Sequence, residues 1–116
     1  MKEDKSPARK MPFSIVYEKG KSWAGREIIV RALPNGLGTS QFGFVVSRRV
    51  GNAVTRNLVK RRLREIARKI PAAPGWDIVI IARVPAEAAG FWDLDNTLRK
   101  LLVRAGILAE ENEGCS

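Results

Sequence analysis

The stretch from Ala53 to Ile70 carries two patterns at once, and together they limit what this chain can become. At about 100° per residue, Val59, Leu63, Ile66, Ala67 and Ile70 fall within roughly one third of a helical circumference. Arg56 borders that stripe, and beyond it stand Asn57, Lys60, Arg61, Arg64 and Arg68, stacked over about four turns. Such a helix presses its apolar side onto another layer of the fold, and its basic side is then displayed rigidly. Gly51-Asn52 breaks the chain before it and Pro71 stops it, so the spacing predicts a helix from about Ala53 to Lys69.

Lysine and arginine are good helix formers and ordinarily just cover a solvated face. The charge distribution argues against that explanation here. The net charge is +9, and Arg48 to Lys69 accounts for +8 of it, with nine basic residues against Glu65. The remaining 94 residues hold twelve basic and eleven acidic groups, an ordinary balance. Lys60 with Arg64 and Arg64 with Arg68 are like charges four apart, which destabilise a helix unless something neutralises them. A polyanion is therefore expected. Arginine outnumbers lysine seven to two in the segment, which favours bidentate phosphate contacts over a diffuse membrane patch. The apolar stripe is needed for the core and is not free to enter lipid. A helix with one face buried is also poorly placed to enter a DNA major groove. RNA, recognised through phosphates, 2'-hydroxyls and stacked single-stranded bases, fits best.

Several chemistries are excluded. The chain has no histidine, which removes His-based triads, general bases and metal ligands. Its single cysteine, Cys115, can close neither an internal disulfide nor a Cys-based zinc site. Asp93 and Asp95 read as helix-start residues, where carboxylates meet free backbone donors, and not as metal ligands. No cofactor held by the protein is expected. Met1 to Lys10 is charged without an apolar signal core, and the longest aliphatic run, Ile78 to Ala82, is too short to span a bilayer. The expectation is a reduced, cytoplasmic protein with no membrane contact. At 116 residues and 45% hydrophobic it forms one domain with a real core.

Phe13, Val16 and Tyr17 predict a short helix closed by Gly20. A strand at Lys21 to Trp23 is weakly signalled. Glu27 to Leu33 and Phe42 to Val50 read as strands, and the Pro34-Asn35-Gly36 turn with Gly38 predicts that they pair as a hairpin. Asp77 to Val84 is apolar at successive positions, the mark of a central strand covered on both faces. A final helix from about Phe91 to Arg104 lines up Leu94, Leu98, Leu101, Leu102 and Ala105. The predicted fold is α+β, a single-domain two-layer sandwich over 13–106, with flexible tails at 1–12 and 107–116.

Stacking on RNA bases needs aromatics. Phe13 and Tyr17, one helical turn apart, either present rings beside the sheet or serve as core of a short helix. On the second strand, Phe42, Phe44, Val46 and Arg48 share one face, and Gly43, Val45, Ser47 and Arg49 the other. That small-residue strip leaves room for a ligand chain, or for close packing of a helix.

The run from Phe42 to Glu65, with Ser47-Arg48-Arg49, then Gly51-Asn52-Ala53-Val54, then Arg56-Asn57 and Lys60-Arg61, resembles the signature of the bacterial ribonuclease P protein subunit. The likeness extends from about Phe13 to Gly106, including the aromatic pair before Lys19-Gly20, Arg26 and the Asp77 to Arg83 strand. It implies an αβββαβα sandwich with a left-handed βαβ crossover, against the general rule. It also implies two RNA partners: the catalytic RNA subunit and the 5' leader of precursor tRNA. Carried over, Arg56, Asn57, Lys60, Arg61 and Arg64 face the catalytic RNA, with Arg48, Arg49 and Arg68 as further RNA contacts. Phe13, Tyr17, Arg31, Val45, Ser47 and Arg49 fall at the leader cleft. Mg²⁺ held mainly by the RNA supplies the hydrolytic chemistry, and the protein is monomeric, one copy per RNA.

This chain departs from the family pattern at Leu58, where an Arg usually completes Arg-Asn-Arg, and at Arg31, where relatives often carry an aromatic. On the wheel Leu58 falls with Arg62 and Lys69, away from the basic ridge. The competing readings are a structural RNA-binding protein of the ribosome, a DNA-binding regulator and, least of all, a protein-only nuclease.

Overall fold

The computed structural model describes residues 11–109. Helix α1 (Phe13–Lys19) leads into strands β1 (Lys21–Ala24), β2 (Ile28–Pro34) and β3 (Gln41–Val46). Helix α2 (Ala53–Lys69), strand β4 (Trp76–Ala82) and helix α3 (Phe91–Arg104) complete the chain, with short 3-10 turns at Arg48–Val50 and Val84–Glu87. This is the αβββαβα order of an α+β sandwich.

The four strands lie in the order β1-β2-β4-β3. β2 and β3 are therefore not a hairpin, contrary to the turn signal between them. β4 lies between them, antiparallel to β2 (Val30 opposite Ile80) and parallel to β3 (Phe44 opposite Ile80). The reason is the sequence of β4 itself. Ile78, Val79 and Ile80 are each fully buried, and a strand apolar on both faces is best accommodated where both its edges are paired and both its faces covered. The connection 35–40 is long enough to step over one strand, and it is tied to the start of β4 as it passes. Asn35 N–H donates to Gly75 C=O at 2.8 Å, Gly75 N–H to Thr39 C=O at 3.2 Å, and Trp76 N–H to Ser40 Oγ at 3.0 Å. Asn35 Nδ2 also donates to the buried carboxylate of Asp77 at 3.1 Å.

One face of the sheet makes the main core. Ile28, Val30, Ala32, Ile78, Ile80 and Ala82, with Phe42, Phe44 and Val46 of β3, meet Val59, Leu63 and Ile66 of α2 and Leu94, Leu98 and Leu102 of α3. All five predicted stripe residues of the basic helix are buried. On α3, Asp93 Oδ2 accepts the backbone N–H of Gly90, as a helix-start carboxylate does, whereas Asp95 pairs with Arg99 one turn on at 2.8 Å. Among the described residues the other face of the sheet carries α1, whose Val16 is fully buried there along with Val79.

The packed unit extends beyond the boundary at Gly106. Gly106 turns with φ +79°, Ile107 N–H donates to Leu102 C=O at 2.9 Å, and Ile107 and Leu108 are buried in the core. This is a glycine C-cap with its hydrophobic follower, so 107 and 108 do not belong to a tail. Met11 and Pro12 are likewise half-buried. The rest of the two expected tails, 1–10 and 110–116 with Cys115, lies outside the described residues.

Leu63 is fully buried and Val54, on the opposite side of α2, is 77% exposed. Leu63→Ala should lower the unfolding free energy by about 2–5 kcal/mol, while Val54→Ala should stay within about 0.5 kcal/mol of the parent. Urea unfolding followed by far-UV circular dichroism measures both.

Candidate nucleic-acid interface

The basic ridge begins at a well-made helix start. Asn52 Oδ1 accepts the backbone N–H of Thr55 at 2.9 Å, one of the donors that the first turn leaves free. Gly51 admits the chain closely above that turn, since a Cβ there would lie 2.9 Å from the side chain of Thr55. From this start Asn57, Arg61, Arg64 and Arg68 project into solvent, and Arg56 and Lys60 are half-buried at the edge of the core stripe. Burial of Arg56 Nε fixes where its guanidinium leaves the surface. The only salt bridge among the described residues, Arg99 with Asp95, lies on another helix. Among the described residues no carboxylate forms a salt bridge with the ridge. Arg62 differs from its neighbours, because its guanidinium donates to Ala89 C=O at 3.3 Å and ties α2 to the start of α3.

Two hollows lie along the ridge. A shallow one of about 580 Å³ is lined by Val54, Asn57, Leu58, Lys60, Arg61 and Arg64. A smaller one of about 150 Å³, between Val46 at the end of β3 and Ala53, Arg56, Asn57 and Lys60, joins the helix to the sheet edge. Leu58 therefore borders the ridge and is not remote from it. Leu58 and Arg61 are three residues apart, about 60° on the wheel, so they are neighbours on the helix surface. Leu58 and Val54 give the ridge an apolar margin that the charge pattern alone did not reveal.

The strand leading to the ridge stops earlier than the sequence predicts. β3 ends at Val46, and Arg48–Val50 forms a 3-10 turn anchored by fully buried Val50. The alternation of faces holds through Val46 and fails beyond it, so Arg48 and Arg49 cannot be assigned to opposite faces. Ser47, Arg48 and Arg49 are instead exposed together at the turn between β3 and α2.

On the α1 side, the strip divides in two. A Cβ on Gly43 would meet the Phe13 ring at 3.0 Å and Met11 at 3.2 Å. Gly43 is thus the seat of Phe13, and close packing accounts for it. Val45 opposes Ile81, which opposes Ile29, and this row across the sheet remains half-exposed next to α1. Ile29 and Ile81 are floor residues the sequence did not single out, because their apolar runs read as covered on both faces. Phe13 and Tyr17 keep 37% and 39% of their surface exposed, so their rings form a wall and not a core.

Arg31 has a particular place in that wall. Its guanidinium donates to Tyr17 C=O and, at 3.4 Å, to Gly20 C=O, and it sits 5.8 Å from the centre of the Tyr17 ring. Cations are favoured at a helix C-terminus and over an aromatic face. Arg31 therefore fastens α1 to the sheet and fixes Tyr17. β3 is an edge strand with α1 on one side and α2 on the other. The cleft, the Ser47–Arg49 turn and the ridge consequently follow one another around a single edge of the sheet.

Among the described residues no three His, Cys, Asp or Glu side chains are grouped to hold a metal ion. No helix among them is long and apolar enough to cross a membrane.

Comparison with known proteins extends the resemblance of the Phe42–Glu65 run to nearly the whole chain. The family model described as Ribonuclease P matches residues 1–106. The ribonuclease P protein component of Dehalococcoides mccartyi is 39% identical over 116 residues, covering 100% of this chain and 97% of that protein. Its counterpart in Clostridioides difficile is 41% identical over 100 residues, 82% and 86% of the two chains. Among solved structures, the Staphylococcus aureus RNase P protein superposes with a TM-score of 0.76 at 32% identity, covering 88% of this chain and 95% of that one. The Thermotoga maritima RNase P protein does so with 0.73 at 36%, covering 80% and 90%. With the family model, the curated relatives and the solved structures in agreement, the chain belongs to the ribonuclease P protein family, the protein subunits of the endoribonuclease that processes tRNA.

Proposed function

We propose that this chain joins two RNAs, holding the catalytic RNA subunit of ribonuclease P on the α2 ridge and the 5' leader of precursor tRNA in the α1 cleft. The observation that carries this reading is the uncompensated ridge, fixed to the core and continuous around the β3 edge with a half-open aromatic cleft. Arg56, Lys60, Arg61, Arg64 and Arg68 meet phosphates of the catalytic RNA, and the Asn57 amide supplies a neutral hydrogen bond among them. Arg48 and Arg49, at the turn between the two surfaces, reduce repulsion where the RNAs come together. Phe13 and Tyr17 stack on unpaired leader bases over the Ile29–Ile81–Val45 floor. Ser47 and Arg49 lie at the end of that path, and Arg31 acts by holding Tyr17 in place.

The protein in this account positions and neutralises. In this reading the RNA partner supplies the hydrolysis of the phosphodiester together with its Mg²⁺. One protein molecule serves one catalytic RNA, in the cytoplasm where precursor tRNA is processed.

If about five of the basic residues meet phosphates, counterion release predicts that affinity for the catalytic RNA falls roughly 100-fold or more between about 50 and 200 mM salt. Filter binding across that range measures the slope, and a flat response contradicts a phosphate-reading ridge. Replacing Phe13 or Tyr17 by Ala should weaken precursor tRNA binding by roughly 1–3 kcal/mol per stacked base lost, with mature tRNA unaffected. Equal losses for both tRNAs would remove the leader cleft.

A further inference from the structure

A hollow of about 290 Å³ opens at the start of edge strand β1, beside the end of α1 at Lys19, on the face of the sheet that packs α3: Lys21 opposes Ala32, Trp23 opposes Val30 and Trp76 opposes Pro34. Trp23 of β1 and Trp76 of β4 line it together with Pro34, Ala105, Lys19 and Lys21. The function described above uses none of these side chains. Both tryptophans are half-buried, so each leans on the core while leaving part of its ring open, and both lysines are exposed. No carboxylate is among the lining residues, and none among the described residues pairs with either lysine. Two half-buried indole rings with cations beside them are the combination that binds single-stranded nucleic acid: the rings accept the face of any base and the ammonium groups meet the phosphates. The volume is near the lower end of small-ligand sites, suited to about one nucleotide.

Its position gives it a partner. Lys19 follows Tyr17 by two residues, about 3 Å along the axis of α1. Gly20 then carries the chain into β1 so tightly that a Cβ on it would lie 2.4 Å from Val16 O and 2.9 Å from Ala32 O. Arg31 fastens the same junction through Tyr17 C=O and Gly20 C=O. The end of the aromatic cleft wall and the rim of the hollow are thus one rigid piece. We infer that the Trp23–Trp76 hollow with Lys19 and Lys21 is a second single-stranded RNA subsite, taking leader nucleotides that have passed Tyr17 and turned around the β1 edge of the sheet. This rests on leader binding in the α1 cleft, and it gives the protein a means of distinguishing long leaders from short ones.

The test uses enzyme reconstituted with a bacterial ribonuclease P RNA and three substrates: mature tRNA, a precursor whose short leader ends within the cleft, and a precursor with a leader about ten nucleotides longer. Wild-type protein should bind the long-leader substrate more tightly than the short. The double variant Lys19→Ala, Lys21→Ala should lose about tenfold on the long leader, with its salt slope reduced by roughly 1.5, and nothing on the short leader or mature tRNA. Trp23→Leu, which keeps apolar bulk against the core, should lose a similar factor on the long leader only. The subsite is overturned by equal losses on both precursors, by unchanged binding of the long leader, or by a wild-type protein indifferent to leader length. It is also overturned if the lysine variant changes only self-association of the chain, which would assign the hollow to a second copy. Leader binding itself fails separately, if wild-type protein does not prefer the short-leader precursor to mature tRNA.

Discussion

The contact of the α2 stripe with the sheet is the interaction on which the rest depends. Burying Val59, Leu63, Ile66 and Ile70 contributes on the order of 1.5–3 kcal/mol for each large side chain, an upper range because the unfolded chain already hides some of that surface. The repulsions between Lys60 and Arg64 and between Arg64 and Arg68 cost about 0.2–0.5 kcal/mol each. Packing exceeds repulsion several-fold, so the helix forms although no carboxylate among the described residues forms a salt bridge with its cations. The same contact keeps the ridge from rearranging to relieve its own field, and a polyanion meets charges already in position. The affinity gained on binding is then not reduced by ordering a mobile arm.

A second constraint is the placement of β4. Because its apolar residues demand cover on both faces, it takes the centre of the sheet and leaves β3 at an edge. An exposed edge ordinarily invites unwanted pairing. Here β3 is short and its exit is closed by the Ser47–Arg49 turn, which brings cations to the place where the two faces of the sheet meet. The two proposed RNA surfaces are therefore separated by one strand and a turn, close enough for one small protein to touch both partners. Gly43 contributes at the other end of that strand, since only a residue without a side chain admits Phe13 so close to the sheet.

Much of this was legible beforehand. The 3.6-residue period of α2 and α3 gave their limits and buried faces, because long amphipathic helices register the core directly in sequence. The α+β order followed, and the motif from Ser47 to Arg64 carried the family. The pairing of β2 was not legible: the Pro34–Gly38 turn reports where the chain reverses, and says nothing about whether a later strand enters between the two arms. The end of β3 was missed because Ser47-Arg48-Arg49-Val50 continues a strand-like alternation, and only the burial of Val50 in a tight turn distinguishes it. Gly106 followed by Ile107-Leu108 was a readable C-cap, taken for the beginning of a tail. At the site, the ridge residues were visible as charge, whereas the role of Arg31 depends on helix carbonyls fourteen and eleven residues away, and no local pattern encodes that contact.

Family membership sets aside the ribosomal and DNA-binding readings and leaves one central claim, that a pinned and uncompensated basic helix recruits the catalytic RNA. Cleavage of precursor tRNA by a bacterial ribonuclease P RNA at low Mg²⁺ measures it most directly, with wild-type protein or with Lys60, Arg61 and Arg64 replaced together by Ala. The account predicts that wild-type protein restores cleavage that the RNA alone performs poorly, and that the triple variant, folded to the same helix content, does not. A variant that stimulates as well as wild type, or precursor cleavage by the protein without RNA, would contradict it.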